Sequence, residues 1–125
     1  MSKTILITGG SFVNKGAEAM TLTVAEHLRG ALPGCRLLMT LRSPYFDEAR
    51  RNGLIPVCSD PPDGLVSRIQ SKLRSWRLYR ECDAIVDIGG YQFGDPWGAE
   101  FAGQALRRLE RRNALGVRTF YMPQA

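Results

Sequence analysis

Thr4-Ile5-Leu6-Ile7-Thr8-Gly9-Gly10-Ser11-Phe12-Val13-Asn14-Lys15-Gly16-Ala17-Glu18 is the stretch whose reading decides the fold. Its first five residues are β-branched or aliphatic, which suits a buried strand. Gly9-Gly10 end that strand. From Ala17 to Arg29 the apolar Ala17, Met20, Val24 and Leu28 recur at helical spacing, with Glu18, Glu26 and Arg29 off the stripe. A strand, a Gly-rich turn and a helix, in that order, begin a parallel crossover unit.

The alternation continues along the chain. Gly30 and then Pro33-Gly34 stop the first helix, and Arg36–Leu41 reads as a second strand. Pro44 starts a short helix through about Asn52, and Gly53 stands where a C-terminal cap is wanted. Leu54–Cys58 is a third strand, followed by the turn Pro61-Pro62-Asp63-Gly64. Leu65, Ile69, Leu73 and Trp76 predict the buried stripe of a third helix. Ala84–Ile88 is a fourth strand closed by Gly89-Gly90. A loop then leads to a helix from about Ala99 to Leu115, ended by Gly116, and Val117–Met122 is a fifth strand. Helical crossovers between five strands predict an α/β, doubly wound, mostly parallel Rossmann-like sheet in the order 3-2-1-4-5. The whole of 1–125 is expected to be one such domain. A close on Pro-Gln-Ala right after a central-type strand is unusual, so the expectation is the N-terminal part of a longer protein.

Composition narrows the class. No apolar run approaches the roughly 20 residues of a spanning helix. The run at Thr4–Thr8 is shorter than the ~7–15 residue core of a signal peptide. Cys35, Cys58 and Cys82 are odd in number and form no C-x-x-C pair, which argues against a disulfide scaffold or a zinc ribbon and for a reducing cytoplasm. The net charge of +5 is concentrated in two places. Residues 65–82 hold Arg68, Lys72, Arg74, Arg77 and Arg80 against Glu81. Residues 98–115 hold Arg107, Arg108, Arg111 and Arg112 against Glu100 and Glu110. Charge carried by two amphipathic helices, away from the Gly-rich loops, is read as solvated outer faces and not as a nucleic-acid site. A weak attraction to an anionic surface or polyphosphate is the second reading.

In this topology ligands bind beyond the carboxyl ends of the strands where the order reverses, here between strands 1 and 4. Residues 9–18 and 87–98 follow those two strands. The first loop has neither the G-x-G-x-x-G spacing nor a G-K-[ST] ending. What it does offer is the close backbone approach of Gly9, Gly10 and Gly16, and the N–H groups of a helix start. Asn14 is either the helix N-cap or a ligand contact, and Lys15 either a solvated lysine or a contact. Glu18 suits the helix dipole and repels phosphate, so sugar hydroxyls are favoured over a pyrophosphate there. Asp87, at the end of a buried strand, must be hydrogen-bonded or used: it is a base for a hydroxyl, or it caps the Gly89 or Gly90 amide. Asp95 before Pro96 is a turn residue or a contact, and Tyr91 and Trp97 either stack on a sugar or pack. His27, near the end of its helix, and Cys35 and Cys82, which precede strands 2 and 4, belong to the opposite edge of the sheet.

The run Asn14-Lys15-Gly16-Ala17-Glu18-Ala19 after a Gly-Gly strand end resembles the N-terminal motif of the polysaccharide pyruvyl transferase family. Asp87-Ile88-Gly89-Gly90-Tyr91 with Gly94-Asp95-Pro96-Trp97-Gly98 resembles its second motif, and Tyr121-Met122-Pro123-Gln124 the start of a third. The resemblance implies the first domain of a glycosyltransferase-B-like pair. It implies transfer of pyruvate from phosphoenolpyruvate, the donor substrate, to a sugar diol, forming a ketal in a cell-wall or exopolysaccharide precursor, with no resident cofactor or metal. Asp87 and Glu18 would be the candidate base or anchor. The acceptor, a sugar or lipid-linked saccharide, would meet Gly9, Gly10, Asn14, Lys15, Gly16, Gly89, Gly90, Tyr91, Asp95, Trp97 and Gln124. The donor grip would lie in a second half that this chain lacks, so the chain alone is expected to be inactive. Peripheral membrane association through the helix at 65–80 is a further expectation, because acceptors of the family are often lipid-linked. The competing readings are a glycosyltransferase-B-type nucleotide-sugar domain and a non-catalytic Rossmann-like binding module.

Overall fold

Five short strands, each followed or preceded by a helix, form one parallel sheet in a computed structural model that describes residues 2–89 and 98–122, apart from the side chains at 98–102 and 105. The elements run β1 (Thr4–Thr8), α1 (Lys15–Ala31), β2 (Arg36–Leu41), a 3-10 turn (Ser43–Tyr45) leading into α2 (Phe46–Arg51), and β3 (Ile55–Cys58). They continue with α3 (Gly64–Glu81), β4 (Ala84–Asp87), α4 (Gly98–Ala114) and β5 (Arg118–Tyr121). The strand order is β3-β2-β1-β4-β5, the doubly wound arrangement expected from the alternation. Register pairs Ile7 with Met39 on one side of β1 and Thr8 with Asp87 on the other, and Asp87 with Tyr121.

Strand alternation sorts the core into two layers. Ile5, Ile7, Leu37, Met39, Val86 and Ile88 pack with Val24 and Ala25 of α1 and Ala49 of α2. Leu6, Leu38 and Ile85 face the other way and pack with Cys82, Val117, Leu78 and Tyr79. The first layer is the thicker. Phe12, 7% exposed, belongs to it and anchors the loop after β1 to the core.

Two details correct the sequence reading. The stripe Leu65, Ile69, Leu73 and Trp76 is helical but not buried: α3 has no buried residue, and its half-buried positions are Ser67, Ser71, Leu78 and Tyr79. Periodicity places apolar residues on one face without saying which way that face turns, and Leu78 and Tyr79 pin the opposite face to the sheet. Arg112 is likewise not on a solvated face. It is 3% exposed, beneath the helix that carries it.

Candidate functional site

β1 and β4 lie side by side and end at the same rim, which brings the two Gly-rich connections together. Gly9, at φ 75°, turns the chain out of β1 in the left-handed region that favours glycine. Its backbone presses against that of Gly89 so closely that a Cβ on Gly9 would lie 2.5 Å from the Gly89 nitrogen. Residues 9–18 and 87–89 therefore meet at a backbone seam.

Beside the seam is a cavity of about 390 Å³, a size that holds small ligands. Among the described residues its lining is Gly9, Gly10, Asn14, Gly16, Ala17, Met20, Ile88 and Gly89. Met20 and Ile88 give it an apolar side, and glycine backbone and the Asn14 amide give it a polar one. No cation is present in that lining. Asn14 is the N-cap of α1: its Oδ1 accepts the Ala17 N–H at 2.8 Å, and its carbonyl accepts the Glu18 N–H at 3.0 Å. The first amides of α1, at Lys15 and Gly16, have no intrahelical partner to reach, and Gly16 lines the cavity.

The charged candidates sit around this space. Lys15, with its side chain 99% exposed, lies 3.9 Å from the Glu18 carboxylate. Asp87 is buried under the seam. Its Oδ1 accepts the Gly89 N–H at 2.9 Å, and its Oδ2 accepts the Thr8 hydroxyl at 3.0 Å. Neither Asp87 nor Glu18 is part of the described lining. The Asp87 carboxylate holds the Gly89 turn in shape, and as a base it would first have to give up those bonds. Gly90, Tyr91, Asp95, Trp97 and Gln124 lie outside the described residues.

Sequence reading missed Arg112. Its Nη1 lies 3.9 Å from Asp87 Oδ2, its guanidinium is 5.4 Å from the Tyr79 ring centre, and both Nε and Nη1 lack a hydrogen-bond partner among the described residues. The contact with Asp87 is one of charge without a hydrogen bond. A usable signal was present: Leu109, Arg112 and Leu115 follow each other at three-residue spacing, which sets the arginine in the inward stripe of α4. Tyr121, opposite Asp87 in register, has its phenol pushed above its ordinary value by burial, with the Arg112 charge opposing.

No family model, curated protein or solved structure matches this chain.

Among the described residues no group of three His, Cys, Asp or Glu side chains could hold a metal ion. Cys82, which precedes β4 at the other edge of the sheet, has its thiol pushed up to about 11 by burial, ahead of the smaller effects of Glu81 and Asp83. His27 is exposed on α1, well beyond the turns that face the cavity. Among the described residues the recess is walled by glycine backbone, the Asn14 amide, Met20 and Ile88.

Proposed function

We propose that this chain forms the acceptor half of a pyruvyl transferase, holding a sugar diol in the recess between the β1 and β4 loops. The observation that carries the reading is the Gly9–Gly89 seam over a cavity whose described lining is uncharged. A nucleotide or pyrophosphate site would call for a cation or a phosphate-cradling loop, whereas Glu18 puts a carboxylate in the first turn of α1 and draws Lys15 toward itself. The Asn14–Ala19 run that carries the family resemblance borders this recess.

In this reading the acceptor's hydroxyls lie against glycine backbone and the Asn14 amide. The reaction protonates the methylene of phosphoenolpyruvate, one sugar hydroxyl adds to C2, phosphate leaves, and a neighbouring hydroxyl closes the ketal. The two hydroxyls together release two protons: the methylene takes up one, becoming a methyl group, and the other leaves on the departing phosphate as its bond to C2 breaks. This half contributes position, while donor binding belongs to a second half. The proposal places the protein in the cytoplasm, at the inner face of a membrane where the acceptor is lipid-borne. Among the described residues no helix is long and apolar enough to cross one.

Amide spectra of the 15N-labelled chain test the binding step. Methyl glycosides bearing free diols should move the Gly10, Gly16 and Gly89 signals at millimolar concentration, and a nucleoside diphosphate should not. Gly16→Ala is the matching variant: a Cβ there meets only Asn14 Oδ1, at 3.5 Å, so the fold holds while a methyl enters the recess. It should weaken glycoside binding by about 1–2 kcal/mol, roughly 5- to 30-fold, and leave Tm unchanged or slightly raised. Shifts produced by the nucleotide alone would favour the nucleotide-sugar reading, and shifts by neither ligand the binding module. Phosphate release from phosphoenolpyruvate, dependent on the acceptor and on a second half, tests the chemistry.

A further inference from the structure

Helix α3 turns the wrong side to water. Its half-buried residues, Ser67, Ser71, Leu78 and Tyr79, fall on one face, and Leu78 and Tyr79 join the second core layer. On the opposite face Leu65, Val66, Ile69, Leu73 and Trp76 form a continuous stripe, each between 45% and 73% exposed. Soluble helices bury such a stripe and solvate the rest. Arg68 and Lys72 border it on one flank and Arg77 on the other, while the Arg80 guanidinium lies 4.7 Å over the Trp76 ring at its C-terminal end. Next to it, a groove of about 670 Å³ between α3 and α4 is lined in part by Lys72, Trp76, Tyr79, Arg108 and Arg111.

We propose that α3 docks flat on an anionic lipid surface, with the stripe entering the headgroup–acyl boundary and the flanking cations meeting lipid phosphates. An apolar face bordered by Arg and Lys, ending in a tryptophan, is the composition of an interfacial helix. The long basic side chains can lay their stems along the apolar stripe and carry their charge to the headgroups. Charge selects this occupant. Two copies joined stripe to stripe would set Arg68, Lys72, Arg77 and Arg80 of one α3 against the same four of the other, with only Glu81 in residues 65–82 to compensate. A nucleic acid would leave the aliphatic residues without a role. The helix lies on the surface and does not enter as a span. This docking stands on the geometry of α3 and is measured without saccharide or phosphoenolpyruvate, so the saccharide reading can fail while the docking holds, and the reverse.

The test is co-sedimentation of the full chain with vesicles of phosphatidylcholine alone or mixed with phosphatidylglycerol. Partitioning should be at least about 10-fold stronger on the anionic vesicles and should weaken as salt rises from ~0.05 to ~0.5 M. Leu73→Glu and Ile69→Glu should each lower it by about 10-fold or more, as should Lys72→Glu combined with Arg77→Glu. All four positions are exposed, so circular dichroism and Tm should match the parent. Emission from Trp76 should shift to the blue on binding, a change lost in Trp76→Phe. Equal binding to neutral vesicles overturns the proposal, and so does no binding. So does loss on charge reversal with Leu73→Glu still bound, which is adsorption by charge alone. A dimer that forms in solution and dissociates in Leu73→Glu overturns it in favour of a second copy.

Discussion

At Asp87 one carboxylate accepts from the Gly89 N–H and the Thr8 hydroxyl while facing the buried Arg112 guanidinium, so removing it strands a charge as well as two donors. Breaking one partner of a buried pair costs about 3–5 kcal/mol, and Asp87→Ala should lower urea-measured stability by about that much. Arg112→Met in the Asp87→Ala background should restore most of the loss, because an apolar side chain of similar length needs no counter-charge. A double variant no more stable than Asp87→Ala would show that the carboxylate matters only to the loop. Cys82 gives a prediction of pH dependence. Burial, foremost, holds its thiol at about 11 against an ordinary 9.0, so between those values the unfolded chain ionises while the folded chain stays protonated. Stability is fully present below pH 9 and falls by up to about 1.4 kcal/mol per pH unit as pH climbs toward 11. Tyr121 is raised as well and adds loss of the same sign. In Cys82→Ala, alkaline melting curves should fall less steeply over that range. The Asn14 cap and the glycine turns announce themselves through local chemistry. Arg112 stands beside the exposed Arg111 in the same basic run, and only the packing of α4 on the sheet tells the two apart.

Between elements, the contact that makes the site is the seam joining the β1–α1 connection to the end of β4. Gly9 has no room for a side chain there: φ 75° already disfavours an L residue, and a Cβ would meet the Gly89 nitrogen at 2.5 Å and its Cα at 2.8 Å. Both contacts are with backbone, which no side-chain rotation can relieve. Left-handed strain alone is about 1–2 kcal/mol, and Gly9→Ala should exceed that because the loops must also part. Chemical denaturation should register the loss, and glycoside binding should fall together with it, in contrast to Gly16→Ala. A Gly9→Ala protein with parental stability would mean the seam is loose. The seam was partly legible in the sequence. Two Gly-rich strand ends, placed by topology on adjacent strands, had to share a rim. Their direct contact was not legible, because it depends on the register Thr8 to Asp87 and not on composition. For α3 the period of the apolar residues gave the helix and its span closely, yet the stripe faces outward. Helical spacing is the same for a face that meets a core and a face that meets something else. The sheet side of α3 is held instead by Ser67, Ser71, Leu78 and Tyr79, of which only the last two are the kind of residue a core is read from.

Over the whole molecule the two layers are unequal. The α1–α2 side shields Ile5, Ile7, Leu37 and Met39 with buried residues of its own helices, whereas α3 covers its side without one buried residue. Opening free energies within a protein follow such differences, with thinly packed elements opening below the global limit. Amides of α3 should therefore exchange with solvent on the order of 10²-fold faster than those of β1 and of α1 near Thr21–Ala25, under conditions where exchange reports the opening equilibrium. Exchange followed by mass spectrometry or NMR on the full chain measures this directly. Anionic vesicles should then raise protection within residues 65–80 and leave β1 unchanged, since a surface that binds one helix stabilises that helix by mass action. Uniform protection across α3 and β1 in water would mean that the sheet side of α3 is better packed than its exposures indicate. The outward stripe would then cost the protein nothing in local stability, and an occupant for it would have to be argued from charge alone.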